Sequence, residues 1–399
     1  MTRRWPWLLL AFALRAAFAL KLGGHRQHQI DELAFVSAAL HLAETGALAP
    51  VVIPPVPVAF FALCFKLGAS WLWPRLGQAV VGTATAWAIG EATEQLSRSK
   101  PAGRLALAAA SVYPFFIYYA GMALSETLDV ALVTVGLWQL CAVLRTSSPL
   151  NAAAAGLSLS LAALCRSESA FIALPIWIAA AAACLLRRFS WRAWALGVLV
   201  WTLPLLFWCA RNRAVSGAFV LDVHGGMALL HGNEFFALNE GDTALAQAEI
   251  EKQDWYRQSL ALPDAQRDAL YKRRALQFIA AHPGLTARQW ARKTINFWRF
   301  YPRPEKHFIE SDHSHPSAGA PRWALVVISL LFEPLLILGG FYGMWLLRER
   351  IAELFPLYLW VLGTMAIHVI SVSQMRYRLP VMPAMILFAA AARGQSKKR

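Results

Sequence analysis

Two adjacent acids, Asp31 and Glu32, follow the first apolar segment of the chain, in the stretch HRQHQIDELAFVSAALHLAETGALAPVVIPP. A third acid, Glu126, stands beside a later apolar segment, in YYAGMALSETLD. Four arginines also stand at the ends of apolar segments: Arg166, Arg211, Arg376 and Arg378. A carboxylate can accept a proton from a reacting hydroxyl, and guanidinium groups can hold an anion such as phosphate. Together, these residue types predict a site that holds an anion and also removes a proton.

The chemistry that needs both groups at a membrane face is sugar transfer from a lipid phosphate. Cations would stabilise the departing polyprenyl phosphate, and a positioned carboxylate would accept the proton of the acceptor hydroxyl. Each residue also has a plainer explanation. Asp31 and Glu126 stand where they could cap the helices that begin there, and any one of the arginines could extend its head group towards water.

The composition is that of a membrane protein. The chain has 399 residues, of which 58% are hydrophobic and 15% are charged. Apolar stretches of about 20 residues, enough to cross a hydrocarbon core, recur along it. The formal net charge is +15, but the basic residues lie in short turns between apolar segments, a pattern that reports membrane orientation rather than nucleic-acid binding. The five cysteines are odd in number and include no CxxC pair, so the sequence predicts neither a disulfide framework nor a metal site.

The sequence therefore predicts an all-α polytopic membrane protein with about ten transmembrane helices. The predicted spans are approximately residues 5–22, 70–92, 103–120, 124–145, 151–164, 168–186, 191–210, 322–347, 352–371 and 378–393. Basic turns such as 97–104 and 187–192 would then share a side with the N-terminal TRR, and the positive-inside rule makes that side the cytoplasm. We expect a multi-pass inner (plasma) membrane protein with both termini cytoplasmic and the site facing the periplasm.

Two outward segments of this topology hold polar residues. The first, 23–69, carries the acid pair, and its proline-rich part 54–69 predicts an interfacial or re-entrant helix rather than a span. The second, 211–321, includes the amphipathic stretch 285–302, which alternates Arg and Lys with Trp and Phe as expected for a helix at a membrane surface. The predicted regions are an N-terminal transmembrane catalytic module 1–210, a periplasmic loop 211–321 with amphipathic helices, and C-terminal transmembrane helices 322–399.

Several motifs run in order along nearly the whole chain. The acid pair is followed by Phe35, and Pro54 and Pro55 lead into the interfacial helix. Further along come SVYPFFIYYAGMALSETL, GLSLSLAALCRSESAFIALP, RNRAVSGAFVLDVHGGMALLHGN and RYRLPVMPAMILFAAA. In this order they resemble the GT-C membrane glycosyltransferases. The resemblance is to the protein O-mannosyltransferase and aminoarabinose transferase group (glycosyltransferase family 39-like), which uses polyprenyl-phosphate sugars.

The resemblance implies roles for individual residues. The catalytic first-loop acid of the family carries over to Asp31, and its second acid carries over to Glu126. Glu32 is expected to support the same site. The residues expected to bind the lipid phosphate are Arg376, Arg378 and Arg166. In aminoarabinose transferases a Lys before the interfacial-helix proline contacts the lipid phosphate, whereas Ile53 stands at that position here, so the contact would fall to the arginines.

Other polar residues receive weaker predictions. His224 and Asn233, in VHGGMALLHGN, are expected to line the pocket for the sugar or acceptor, although the glycines also indicate tight turns there. His313 and His315, in SDHSHP, fit a polar loop better than a metal site. Arg15, in the middle of the first span, is expected to be structural or to face a cavity. No metal site and no required cofactor are predicted, and a divalent cation is left open.

The leading hypothesis is an inverting, membrane-bound glycosyltransferase with Asp31 as the base. Its predicted partners are a polyprenyl-phosphate-linked sugar donor, membrane lipids and a hydroxyl acceptor on a glycolipid, glycan or protein. Two alternatives stay open, a lipid-linked-glycan ligase or polymerase and a lipid or sugar transporter. The transporter is disfavoured because the sequence shows no repeat between its halves and no interrupted helix pair at mid-membrane.

Overall fold

The computed structural model describes residues 4–24, 30–48, 53–186, 189–235, 242–301 and 322–395. Over these ranges the chain is helical, with short turns between helices and no β-strand. The first nine helices are α1 (Trp5–Leu22), α2 (Ile30–Thr45), α3 (Pro55–Phe65), α4 (Leu72–Ser97), α5 (Lys100–Val112), α6 (Pro114–Ala120), α7 (Glu126–Thr146), α8 (Pro149–Cys165) and α9 (Glu168–Leu185). The later helices are α10 (Trp191–Ser216), α11 (Gly225–Asn233), α12 (Asp242–Glu251), α13 (Asp254–Ser259), α14 (Asp264–Ala281), α15 (Pro283–Phe297), α16 (Arg322–Leu346), α17 (Ile351–Ile370) and α18 (Met382–Gln395).

Six of the described helical segments are long and apolar enough to cross a membrane. They are Trp5–Leu22, Glu126–Thr146, Glu168–Leu185, Trp191–Ser216, Val326–Leu346 and Arg348–Ile370. Large apolar side chains face outwards from them, for example Leu203 and Phe207 on α10 and Leu335 on α16. Such exposure fits helices whose surroundings are lipid. The prediction of an all-α, multi-pass membrane protein is confirmed, whereas the count of ten spans stays a prediction.

One predicted span, 103–120, is not a single continuous helix. The stretch 103–120 forms two helices, α5 and α6, because Pro114 interrupts it. Tyr113, the residue before the proline, has an extended backbone with φ −63° and ψ 117°. The proline ring disfavours a helical conformation for the residue before it and removes one backbone donor. The break places Tyr113 and Phe116 inside the bundle, where both are buried.

The proline-rich stretch 54–69 contains a helix, α3, which begins beside Pro54 and is 11 residues long; its interfacial position stays a prediction. Helix α3 packs on α2, and their contact buries Val36 and Ala39 against Val58 and Phe61. This pair of short helices fills the first predicted outer segment. Because α2 is fixed by that packing, its first turn holds the two adjacent acids in defined directions.

A short 3₁₀ helix, Met375–Val381, links α17 to α18. A 3₁₀ helix turns every three residues, and Pro380 lies within it. Its neighbours α7, α15, α17 and α18 hold it in the bundle. Both arginines of the RYRLP motif lie on this segment, so its packing decides where each of them points.

Candidate functional site

The first contact of the site joins the two ends of the chain. Asp31 lies in the first turn of α2, and Arg376 lies on the 3₁₀ helix after α17. Arg376 Nη1 donates to Asp31 Oδ2 over 3.0 Å. The Asp31 side chain is 47% exposed and that of Arg376 is 23% exposed. The carboxylate is therefore held by a cation on one side and open on the other.

Arg376 has further contacts with its neighbour in sequence. Its Nη2 donates to the hydroxyl of Tyr377 over 3.2 Å, and its guanidinium carbon lies 5.0 Å from the centre of the Tyr377 ring. Burial alone would lower the pKa of Arg376, but the nearby Tyr377 and Asp31 outweigh it and raise that pKa well above its usual value. Nε of Arg376 is buried and has no hydrogen-bond partner. The group is a permanent cation with one donor unused.

Arg166, at the C-terminal end of α8, reaches the same tyrosine. Its guanidinium carbon lies 5.2 Å from the ring centre of Tyr377. It donates from Nε to Glu168 Oε1 over 2.7 Å and from Nη1 to Glu126 Oε1 over 3.3 Å. Burial opposes its charge, but the surrounding acids, Glu168 first, raise its pKa. The Tyr377 ring thus lies against two guanidinium groups.

The acids beside Arg166 are more numerous than the sequence indicated. Glu126 is only 3% exposed, and Asp129, one turn further along α7, is fully buried. Ser169 Oγ donates to Asp129 Oδ1 over 3.2 Å. The second oxygens of both acids, Oε2 of Glu126 and Oδ2 of Asp129, are buried without a hydrogen-bond partner. Buried polar atoms are ordinarily satisfied, so these two oxygens lack the partner that a folded protein usually supplies.

A small cavity lies beside Glu126. Its lining includes Thr85 from α4, Tyr119 from α6, Thr127 from α7 and Leu379 from the 3₁₀ helix. Hydroxyls and aromatic rings in a largely apolar wall are usual in small-molecule pockets. Glu126 therefore lines the cavity together with residues from three other elements.

The structure separates the two adjacent acids. Glu32 is fully buried, unlike Asp31, and its Oε1 accepts a hydrogen bond from Ala123 N over 2.7 Å. The same oxygen lies 3.4 Å from Nη2 of Arg75, which is also fully buried. Glu32 therefore ties α2 to α4 and to the turn before α7. Its expected role in catalysis stays a prediction.

The two arginines of RYRLP also separate. Arg378 is 1% exposed and points into the bundle. Its Nη2 donates to Glu333 Oε2 of α16 over 2.7 Å, and its Nη1 donates to the carbonyl oxygens of Phe297 and Arg299. Glu333 also accepts from the Tyr113 hydroxyl. Arg378 is thus engaged in an internal ion pair, whereas Arg376 and Arg166 lie with the acids.

The predicted pocket residues differ in placement. His224 is exposed at the start of α11. Asn233 is fully buried, and its amide joins α11 to α15 and α17, through Trp290 and the carbonyl oxygen of Ile370. Neither residue hydrogen-bonds the Asp31–Arg376 pair within the described ranges. Their place in a sugar or acceptor pocket stays a prediction.

Arg211 and the possible metal ligands remain to be placed relative to the site. Arg211 donates to the carbonyl oxygen of Leu48, and it lies over Trp208 with a carbon-to-centroid distance of 4.9 Å. In the part of the chain that the structure describes, no three His, Cys, Asp or Glu residues are grouped to hold a metal ion. His313 and His315 lie outside the described residues.

Sequence reasoning missed Asp129, Glu168 and Tyr377. A signal existed for each of them. Asp129 follows Glu126 at the i+3 spacing that stacks two side chains on one helix face, Glu168 stands two positions after Arg166, and Tyr377 stands between the two arginines. Asp129 lies inside the predicted span 124–145, Glu168 is the first residue of the predicted span 168–186, and Tyr377 lies within the RYRLP motif.

Comparison with known proteins gives a likeness of fold. No family model and no curated protein matches the sequence. The chain is similar to two crystal structures of ArnT from Cupriavidus metallidurans, both at 15% sequence identity. For the apo state, the TM-score is 0.43 and the alignment covers 98% of this chain and 78% of that chain. For the structure bound to undecaprenyl phosphate, the TM-score is 0.44 and the coverage is 98% and 79%.

ArnT is an aminoarabinose transferase of the GT-C family, which is the group that the sequence motifs also resemble. The contacts around Asp31, Arg376 and Arg166 carry the function proposed below.

Proposed function

We propose that this protein is an inverting glycosyltransferase. It would move a sugar from a polyprenyl-phosphate donor to a hydroxyl acceptor at the periplasmic face of the inner membrane. The observation that carries the proposal is the contact between Asp31 Oδ2 and Arg376 Nη1 at 3.0 Å. It places a half-exposed carboxylate beside a permanent cation at the ends of apolar helices, where a lipid phosphate would arrive.

Asp31 is the base of the proposed reaction. A base must reach the acceptor hydroxyl, so it needs an accessible carboxylate within hydrogen-bond distance of that group. The Asp31 side chain is 47% exposed, in contrast to the fully buried Glu32. Glu126 has a partly unused carboxylate as well, but it is 3% exposed and its Oε1 is bound by Arg166. Glu126 fits better as a group that orients a sugar hydroxyl.

In the proposed reaction the anomeric carbon of the sugar exchanges its bond to phosphate for a bond to the acceptor. The acceptor oxygen forms a bond with the anomeric carbon of the sugar, on the face opposite the phosphate. The bond between that carbon and the phosphate oxygen breaks, and its electron pair goes to the phosphate. The acceptor proton passes to Asp31. The products are a glycosylated acceptor with inverted anomeric configuration and a polyprenyl phosphate.

Arg376 and Arg166 would stabilise the leaving phosphate. Both lie against the Tyr377 ring, at 5.0 Å and 5.2 Å from its centre, so their positive charges are concentrated in one place. Arg376 also has an unused Nε donor. The phosphate gains negative charge as the bond breaks, and a cation fixed in advance stabilises that charge without reorganising.

The proposal can be tested in cells, because the donor and acceptor need not be known. Mass spectrometry of glycolipids, glycans and glycoproteins would be compared between cells with and without the gene. We expect a sugar-sized mass difference that is lost on deletion and restored by the wild-type chain but not by Asp31→Asn. Glu44→Gln is the matched control, since Glu44 is an exposed acid near the other end of α2, and it should restore the product. Full restoration by Asp31→Asn would contradict the proposed mechanism.

A further inference from the structure

Helix α15 buries much of its polar face against the rest of the protein. Four polar residues at helical spacing are buried on it: Thr286, Gln289, Lys293 and Asn296. The opposite side exposes Leu285, Arg288 and Ile295. A surface helix ordinarily buries its apolar stripe. In this reversed arrangement two of the buried polar residues, Lys293 and Asn296, make a specific contact through their side chains.

That contact is with residues 370–373, which we term the strap. The strap leaves α17 and leads into the 3₁₀ helix that carries Arg376. Lys293 Nζ donates to the carbonyl oxygen of Ser371 over 2.6 Å. Ser373 Oγ donates back to the carbonyl oxygen of Lys293 over 2.9 Å, and Asn296 Nδ2 donates to the carbonyl oxygen of Ser373 over 2.6 Å. Three hydrogen bonds thus fasten the strap to α15.

Helix α11 holds the strap as well. Asn233 Nδ2 donates to the carbonyl oxygen of Ile370 over 2.8 Å, and Trp290 Nε1 donates to Asn233 Oδ1 over 3.2 Å. Gly232 lies so close to the strap that a Cβ atom there would overlap the Ser371 carbonyl oxygen. The strap is therefore enclosed between α11 and α15.

Lys293 is the unusual member of this clamp. It is fully buried, and no salt bridge joins it to a carboxylate within the described part of the chain. Burial lowers its pKa to about 7. A buried amine without an acid is costly, so packing alone does not account for a lysine here. Its amino group reaches the Ser371 carbonyl oxygen from the buried side of α15.

We infer that Lys293 is a positioning residue that holds the strap and thereby sets Arg376 against Asp31. This inference rests on the proposed function as far as sugar transfer is concerned, whereas the clamp itself can be measured without any substrate. Arg376 lies five positions after Ser371. Val372 within the strap forms a buried cluster with Ala246, and Tyr377 packs against this cluster. Freeing the strap would therefore loosen the guanidinium and the Tyr377 ring together.

The first arm of the test measures the clamp directly. Val372→Cys introduces a thiol of similar size at a position that is only 4% exposed. Its labelling by a membrane-impermeant maleimide would be followed in purified protein, with the unmutated chain as background for the five native cysteines. We expect slow labelling in this variant and in its combination with Arg292→Met, an exposed cation on the same helix. Combination with Lys293→Met should give clearly faster labelling.

Gly232→Ala should do the same, because the added methyl group pushes the strap from the α11 side. Unchanged labelling of Val372→Cys in both the Lys293→Met and the Gly232→Ala backgrounds would overturn the clamp.

The second arm measures the effect on transfer with a double-mutant cycle. Lys293→Met should lower turnover about tenfold, the size expected for one lost buried hydrogen bond. Because it would act through Arg376, its effect in an Arg376→Ala background should nearly vanish, as coupled residues are not additive. A merely structural defect would instead lower turnover by the same factor in both backgrounds, and that result would overturn the inference. If the unmutated protein transfers no sugar, the proposed function fails, and the labelling arm still decides the clamp.

Discussion

Asp31 and Arg376 are 345 positions apart in the chain, yet Arg376 Nη1 lies 3.0 Å from Asp31 Oδ2. The contact joins the first predicted outer segment to the last one, so the site exists only when both ends of the chain are in place. It also pairs the residue proposed as base with the cation proposed to receive the phosphate.

Arg376→Ala should reduce turnover without unfolding the protein. Hydrogen bonds to charged groups contribute about 1.5–3 kcal/mol, which corresponds to roughly a 10- to 150-fold loss of rate. Arg376→Lys should restore only part of it, because an ammonium lacks the planar fork of Arg. The prediction is checked by measuring turnover and apparent donor affinity with purified protein. If both are unchanged in Arg376→Ala, the phosphate is bound by other residues.

Arg378→Ala should behave differently, because it leaves Glu333 buried without its cation. Breaking a buried ion pair costs about 3–5 kcal/mol, so the melting temperature should fall and turnover should fall only as far as folded protein is lost. The double variant Arg378→Met, Glu333→Leu is the control. Replacing both partners by apolar residues is often nearly neutral, so stability should largely return. A stable Arg378→Ala protein that cannot transfer sugar would assign the phosphate to Arg378.

Glu32→Gln should lower stability through the buried pair with Arg75. The amide still accepts from Ala123 N, but the charge opposite Arg75 is gone, and the expected loss is again about 3–5 kcal/mol. The protein that remains folded should turn over at a normal rate. Thermal unfolding and activity per folded molecule measure the two effects, and a stable but inactive variant would show that Glu32 acts in catalysis.

The stability of the clamp should depend on pH through Lys293. Burial lowers the pKa of Lys293 from 10.5 to about 7. Below pH 7 the amine is protonated in both the folded and the unfolded chain, and the cost of burying its charge is present in full. As pH rises from about 7 towards 10.5, the folded chain releases the proton first and that cost disappears, by at most about 1.4 kcal/mol per pH unit.

The melting temperature of the wild type should therefore rise relative to that of Lys293→Met between pH 7 and about pH 9. Differential scanning measurements in detergent at matched ionic strength follow both proteins. A constant difference over this range would mean that Lys293 is not titrating in the folded state.

The predicted topology can be checked by cysteine labelling from outside. Ala261 and Lys100 are both exposed positions, the first in the predicted periplasmic loop and the second in a predicted cytoplasmic turn. An impermeant thiol reagent applied to intact spheroplasts should label Ala261→Cys and reach Lys100→Cys only after lysis. The opposite pattern would turn the site towards the cytoplasm.

The sequence identified the ionisable groups of the site better than their partners. Asp31, Glu126, Arg166 and Arg376 were all recognisable, because charged residues at the ends of apolar segments are rare and costly. Which of them meet depends on packing between distant helices, and a single sequence carries no signal of that pairing.

Neighbouring residues were the hardest to distinguish. Successive residues of an α-helix point about 100° apart, which sends Asp31 to the surface and Glu32 into the bundle. Two positions on a 3₁₀ helix differ by about 240°, so Arg376 and Arg378 face different surroundings. Their identical side chains and similar apolar neighbours in sequence cannot reveal this difference, because it depends on the orientation of the segment.

The most direct measurement of the central claim is the rate of single-turnover sugar transfer by purified Asp31→Asn. The protein is present in excess over a polyprenyl-phosphate sugar donor. The amide keeps the shape of the side chain and some of its capping ability but cannot accept the acceptor proton. We expect the rate of the chemical step to fall by roughly 10²–10⁴-fold, with donor binding and melting temperature close to those of the wild type. A chemical step at the parental rate in folded Asp31→Asn would contradict the account, since Asp31 would then pair with Arg376 without acting as the base.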